Sequence, residues 1–431
     1  MILLAIGVSH HTAPLGVRER FAINKEGGHR MLESLIEYVK HGVVLATCNR
    51  TEIYTTVQNA ALGANHLSRF LSDWSGIPLS EIDQYTYFYD HEAAIRHLFR
   101  VASGLDSMIL GEDQVLGQVK GAMEDSLGRD ALGPVLTRLF HRAIQVGKRA
   151  RTETEINRHA ASVSSVAVAL AKEYYPDLKE RRVLVISAGE AGKLTGVSLM
   201  SQGAASVVVI SRTLNRAQKL ALAIGGQAMP FRRLDEAFLS ADIVITSTGA
   251  PECILGANRV ASLMDRRNGR PILIVDIAVP RDVEPAVGEI PHVHLRNIDD
   301  LQAIADANHQ QREKESPKVE AIIQGEVERF IAWWQTLSVL PTISALKDRA
   351  EAIRQEEVSK TLGRLRGMSD DERRRIDAMT RAIVKKILHN PLVYLKEDGN
   401  TNGYAQAVQE LFALRVEKAP SERSSTPHDN V

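Results

Sequence analysis

Cysteine is almost absent: the 431-residue chain has two, Cys48 and Cys253. Two thiols cannot form a disulfide framework and they suit a reducing compartment, so a cytoplasmic protein is expected. There is no C-x-x-C or H-x-x-x-H spacing, which argues against a structural zinc. Charge of one sign is also missing. The 53 Lys and Arg balance 53 Asp and Glu, so no global basic field exists and any nucleic-acid contact has to come from local patches. No apolar run reaches the roughly 18 residues of a membrane helix. The start, Met1 to His10, lacks the basic residues and cleavage site of a signal peptide and reads as a first strand.

Against this background one stretch stands out. Val43-Val44-Leu45-Ala46-Thr47-Cys48-Asn49-Arg50-Thr51-Glu52-Ile53-Tyr54 carries a thiol, an amide, a guanidinium and a carboxylate between two strand-like runs. Cys48 beside Arg50 reads as a nucleophile with an anion anchor. The guanidinium favours the thiolate and can hold a substrate carboxylate in a bidentate contact. Cys253 has no such neighbours and reads as a small buried hydrophobe.

The chain as a whole reads as multidomain, α/β and α. Residues 1–155 form an α+β domain with strands near Met1–Val8, Val43–Thr47, Glu52–Val57 and Tyr85–Tyr89. Within it, Gly104 to Gln118 sets Ser107, Glu112, Asp113, Gln114 and Gln118 in a Gly-marked segment, which is either a substrate clamp or a helix–helix joint. A helix near Leu132–Arg151 carries Arg138, Arg142, Lys148, Arg149 and Arg151 as a solvated face or a phosphate-contacting patch. Residues 160–296 alternate continuous apolar strands with helices, the pattern of a doubly wound parallel sheet. Residues 297–418 are helical. Asn297 opens a long helix in which Pro317 predicts a kink, Pro341 an end, and His389-Asn390-Pro391 the end of a later helix. Ser369 to Glu372 is a capping box. Residues 419–431 are polar and expected to be disordered.

Strand Arg182–Ile186 runs into Ser187-Ala188-Gly189-Glu190-Ala191-Gly192 and then a helix, the context of a phosphate-binding turn. Ser187 stands at the first glycine position, where its hydroxyl is free to contact a phosphate. The next strand ends in Ser211-Arg212-Thr213, with Arg216 a turn later. Arginines there, in place of an acidic residue, favour a 2′-phosphate and hence NADPH. A thiol and NADPH together suggest that an acyl group is captured as a thioester and reduced to an aldehyde.

Several stretches resemble the glutamyl-tRNA reductase family: Gly7 to Pro14, Thr47 to Glu52, Gly104 to Gln118, Arg151 to Thr154, Asp276 to Asp282 and Leu388 to Pro391. The resemblance implies reduction of glutamyl-tRNA to glutamate-1-semialdehyde at the first committed step of tetrapyrrole synthesis, with Cys48 as nucleophile. It implies Thr47, Asn49, Arg50, Ser107, Glu112, Asp113, Gln114 and Gln118 around the glutamyl group, and a role for His97 near the thiol or the leaving ribose hydroxyl. It further implies a catalytic, an NADPH-binding and a helical dimerisation domain, the last on a long spinal helix. A homodimer and the downstream glutamate-1-semialdehyde aminomutase are the implied partners. The competing readings are an NADPH sensor with an inert Cys48 and a semialdehyde dehydrogenase acting on an acyl phosphate.

Overall fold

A computed structural model describes residues 1–107, 114–156, 163–187, 189–301, 315–365, 368–398 and 403–414. The chain divides into two compact units, Met1–Glu326 and Val327–Val431.

The first unit begins with a four-stranded antiparallel sheet. In chain order its elements are β1 (Ile2–Ser9), α1 (Leu15–Phe21), α2 (Lys25–Ile36), β2 (Gly42–Ala46), β3 (Arg50–Val57), α3 (Ala60–Ser75), α4 (Leu79–Ile82), β4 (Tyr87–Asp90), α5 (His91–Ala102), α6 (Gln114–Leu127) and α7 (Pro134–Glu153). The strand order is β2-β3-β1-β4. Apolar residues of β1 (Leu4, Ile6, Val8) pack with Phe21, Leu35, Leu67 and Phe70 from the helices. Gly7 of β1 pairs with Glu52 of β3 on one side and Tyr87 of β4 on the other. A Cβ on Gly7 would lie 2.7 Å from Glu52 Cγ. The missing side chain is what leaves room for a carboxylate in this row of the sheet.

The second half of this unit contains α8 (Val163–Tyr174), β5 (Arg182–Ser187), α9 (Glu190–Ser201), β6 (Ser206–Ser211), α10 (Leu214–Ile224), β7 (Gln227–Pro230), α11 (Leu234–Ser240), β8 (Ile243–Ser247), α12 (Ala257–Arg266), β9 (Ile272–Asp276) and β10 (Val293–Asn297). Its six strands are parallel in the order β10-β9-β8-β5-β6-β7. The chain leaves β5 toward β6 on one side and returns to β8 on the other, so the switch point lies between β5 and β8. Separate apolar cores cover the two faces, which is why the strands read as continuous apolar runs.

A 49-residue helix, Ser316–Arg364, follows, roughly 70 Å at 1.5 Å per residue. Pro317 is its second residue. The expected kink does not arise there, because the amide lost in a first turn has no intrahelical acceptor. Pro341 lies inside the helix and does not end it. Val339, Ile343 and Leu346 on either side of it are buried in one core, and that burial outweighs the missing hydrogen bond. The next helix, Asp370–Asp398, likewise runs through Pro391, held by buried Leu388 and Leu395. It opens on the expected capping box. The Ser369 amide donates to Glu372 at 2.9 Å and the Glu372 amide to Ser369 Oγ at 3.3 Å. A short helix, Tyr404–Leu411, closes the second unit. The segment expected to be a disordered tail lies outside the described residues.

Candidate active site

β3 alternates its faces, so Arg50, Glu52 and Tyr54 share one side. All three are buried. Glu52 is the hub. It accepts from Arg50 Nη1 at 2.7 Å, from Tyr54 at 2.6 Å and from Tyr87, whose hydroxyl reaches over Gly7. His97 Nε2, from α5, lies 2.8 Å from the same carboxylate, with its ring against Tyr87 and Tyr89. Burial penalises the Glu52 charge, yet His97, Arg50 and the tyrosine donors outweigh it and hold the carboxyl well below the usual carboxylate range. The same burial and the neighbouring Glu52 charge push the Tyr54 and Tyr87 hydroxyls well above theirs. Arg50 also bonds Asp106 through its carboxylate at 2.8 Å and through its backbone carbonyl.

Cys48 sits in the turn between β2 and β3, partly buried. Asn49 Nδ2 donates to its sulfur at 3.3 Å, and the amides of Asn49 and Arg50 both donate to Thr47 Oγ1 at 3.1 Å. Val8, Arg18, Thr47, Cys48, Arg50, Thr51 and Val279 line a cavity of about 10 Å³ here, room for about one water. Val279 belongs to the segment after β9, so the thiol faces the parallel-sheet half of the unit. Cys48 and Val279 both pack on the core that covers one side of that sheet. The two halves are tied by Glu19, which accepts from the Arg281 backbone amide at 2.8 Å and from its guanidinium at 2.6 Å and 2.8 Å.

The expected site residues do not all converge. Thr47, Cys48, Asn49 and Arg50 form one cluster, and His97 joins it through Glu52. Gln118 lines a different cavity, with Ile23, Leu32 and Ala46. Gln114 is the first residue of α6 and Ser107 is partly buried next to Asp106. Glu112 and Asp113 lie outside the described residues. Cys253 is exposed rather than buried, its thiol directed to the Arg281 carbonyl at 3.5 Å. On α7, Arg149 pairs with Glu153 and Glu326, and Arg151 donates to the carbonyls of Ala102 and Gly147. Arg149 and Arg151 of the expected patch are thus engaged within the first unit. Sequence reasoning missed Glu52 as an organiser, along with Asp106, Tyr87 and Arg18. The alternation of Arg50, Glu52 and Tyr54 along a strand was the available signal for the first.

At the switch point, Gly189 is the N-cap of α9, and a Cβ there would meet open space. These are the features a dinucleotide pyrophosphate requires. Ser187 is not free to bind it: its hydroxyl donates to the Ser247 carbonyl at 3.0 Å and accepts from the Gly189 amide at 3.1 Å. A Cβ on Gly192 would lie 2.2 Å from Ser187 Oγ, so Gly192 makes room for that hydroxyl. Ser211 is buried at the end of β6, whereas Arg212, Thr213 and Arg216 are exposed around the start of α10. Ala188 lies outside the described residues, while Glu190 and Ala191 open α9.

Family models match in three blocks. "Glutamyl-tRNAGlu reductase, N-terminal domain" covers residues 6–154, "Shikimate / quinate 5-dehydrogenase" 169–304, and "Glutamyl-tRNAGlu reductase, dimerisation domain" 318–414. A glutamyl-tRNA reductase of Pelobacter propionicus is 41% identical over 97% of both chains. The chain belongs to the glutamyl-tRNA reductase family. Another member, from Pelotomaculum thermopropionicum, is 42% identical over 99% of this chain and 97% of its own. The solved reductase of Methanopyrus kandleri is 32% identical, covers 96% of this chain and 99% of its own, and superposes with a TM-score of 0.48. Family membership makes the protein an oxidoreductase with a catalytic, a dinucleotide-binding and a helical dimerisation domain. No described helix is long and apolar enough to cross a membrane.

Proposed function

We propose that the protein reduces glutamyl-tRNA to glutamate-1-semialdehyde and releases the tRNA, with NADPH as reductant and a thioester on Cys48 as intermediate. This places it at the entry to 5-aminolevulinate and porphyrin synthesis. The observation that carries the reading is the Cys48 cavity, bounded on one side by Arg50 and on the other by Val279 from the dinucleotide-binding half. A thiol in that position can take an acyl group from one domain and present it to the other.

The Cys48 thiolate attacks the ester carbonyl, and the ribose oxygen leaves and takes up a proton. Asn49 and Arg50 fix the sulfur and the acyl chain. Arg50 already grips two carboxylates, Glu52 and Asp106, and the Asp106 side chain is 19% exposed. A substrate carboxylate would exchange with Asp106 while Glu52 keeps the guanidinium in place. His97 orients Glu52 from the far side. The start of α9 would hold NADPH, with Arg212 and Arg216 toward the 2′-phosphate, and the bound cofactor would supply a hydride to the thioester carbonyl carbon, the C–S bond then breaking to return the Cys48 thiolate and release the aldehyde. Ser107, Gln114 and Gln118, with Glu112 and Asp113, are assigned to the wider substrate surface.

In the second unit, Ile353, Met379, Ile383 and Ile387 line an apolar groove of about 550 Å³. Those four side chains are exposed, and a second copy of the chain covering them gives a homodimer. The product, a reactive aldehyde, would pass to a cytoplasmic aminomutase.

Incubation with glutamyl-labelled tRNA in the absence of NADPH is expected to leave a thiol-sensitive labelled protein, and Cys48→Ser to leave none. No adduct from intact substrate would favour a nucleotide sensor instead. Arg212→Ala with Arg216→Ala is expected to lower the preference for NADPH over NADH by about tenfold or more, one charge-assisted hydrogen bond each.

A further inference from the structure

Arg18 lies on α1, in Leu15-Gly16-Val17-Arg18-Glu19-Arg20-Phe21, a stretch with no catalytic pattern. It is nonetheless 4% exposed and lines the Cys48 cavity. Its guanidinium points three ways. Nε donates to the Ala13 carbonyl at 3.2 Å, Nη1 donates to Asn49 Oδ1 at 3.3 Å, and Nη2 bonds Asp299. Asp299 is in the helical turn after β10, where its amide donates to Asn297 Oδ1 at 2.8 Å. A continuous chain of contacts therefore runs from the parallel-sheet half, through Asp299, Arg18 and Asn49, to the sulfur of Cys48.

The chemistry of this chain allows one orientation of the Asn49 amide. A guanidinium has donors only, so the oxygen of Asn49 must face Arg18. The amide nitrogen is then turned toward Cys48, where it donates to the sulfur at 3.3 Å. A donor aimed at a sulfur stabilises the thiolate over the thiol. We infer that Arg18 is a positioning residue: it sets the Asn49 amide so that the nitrogen serves the Cys48 thiolate, and Asp299 makes that setting depend on the docked parallel-sheet half. The proposal rests on Cys48 being the nucleophile. The other charged group lining the cavity is Arg50, backed by Glu52 and Asp106, and His10, whose backbone amide donates to the Asn49 carbonyl, is neutral. Burial and the charges of His11, Arg50 and Arg18 push the His10 imidazole down to about 3.

The test is the pH profile of Cys48 alkylation by iodoacetamide, in the full-length chain with Cys253→Ser so that one thiol reacts. Arg18→Met is expected to slow alkylation at pH 7 about tenfold and to raise the titration midpoint by about one unit, the worth of one hydrogen bond to a charged group. Arg18→Lys keeps the charge but offers one nitrogen, which cannot hold Asn49, Asp299 and Ala13 together, and is expected to keep more than half of that shift. Asp299→Asn is expected to shift the midpoint in the same direction by less. A parental profile in Arg18→Lys would reduce Arg18 to a charge and overturn the inference, as would a parental profile in Arg18→Met. If Arg18→Met does not fold, Arg18→Lys and Asp299→Asn decide the matter. Alkylation needs no tRNA, so reductase activity surviving Cys48→Ser would sink the thioester reading separately.

Discussion

Arg50 exposes 2% of its side chain and is bonded to two acidic residues, while Arg212 and Arg216 stand in solvent at the start of α10. Both places are proposed to receive an anion, and they prepare for it in opposite ways. A buried guanidinium must be paired or the fold loses several kcal/mol. Arg50 therefore carries its own carboxylates, one permanent in Glu52 and one at the edge in Asp106. An exposed arginine is solvated at little cost and can wait for a ligand. The thiol end thus couples recognition to stability, whereas the nucleotide end keeps the two apart.

Removing the hub should show that coupling most clearly. Glu52→Ala leaves Arg50 and His97 without their shared carboxylate. It is expected to lower unfolding free energy by about 3–5 kcal/mol, read as the urea midpoint, while Arg212→Ala changes it by less than about 0.5 kcal/mol. A Glu52→Ala loss below about 1 kcal/mol would erase the contrast.

The two halves should also respond to pH with opposite sign. The folded-state value of Glu52 is depressed, so its contribution is present above the unfolded carboxyl value and is lost as the pH falls. Asp276, at the end of β9, is raised by burial to about 7, against donors from Thr246, Ala278 and Val283. Its protonated form suits the fold, so that contribution is complete below the unfolded value near 4 and is lost as the pH rises through 7. Asp276→Asn is expected to remove a fall of roughly 2 kcal/mol between pH 5 and 7.5. An unchanged slope in urea titrations at the two pH values would refute the assignment.

A smaller effect is expected at the phosphate turn. Gly192→Ala forces a methyl group against Ser187 and should cost about 1–3 kcal/mol, together with NADPH affinity measured by fluorescence. Adding Ser187→Gly should restore both. Failure of the double variant to recover would mean that Gly192 serves the cofactor directly rather than Ser187.

Much of this architecture is legible along the chain because it depends on local pattern. The apolar runs at Val183–Ile186 and Ile243–Ile245 read as strands, the segment from Ser187 to Gly192 as a strand-to-helix turn, and Ser369 with Glu372 as a helix start. The failures have a common cause. Pro341 and Pro391 break helices by local rules, but buried side chains on either side hold them. Arg18 acts on Asn49, 31 positions away, and on Asp299, 281 positions away, so nothing near it in sequence announces the role. The contact of His97 with Glu52, across the row Glu52-Gly7-Tyr87, is likewise invisible along the chain. Such a row exists only once three strands are in register.

The serine at the phosphate turn also imposes an order of events on descent. With glycine at 187, position 192 could accept alanine freely, but with serine at 187 the added carbon would sit 2.2 Å from the hydroxyl and the turn has to shift. A lineage acquiring Ser187 is therefore least disturbed where glycine already stands at 192, and once Ser187 is present a change to alanine at 192 costs about 1–3 kcal/mol. The two positions are expected to change together, serine at 187 going with glycine at 192.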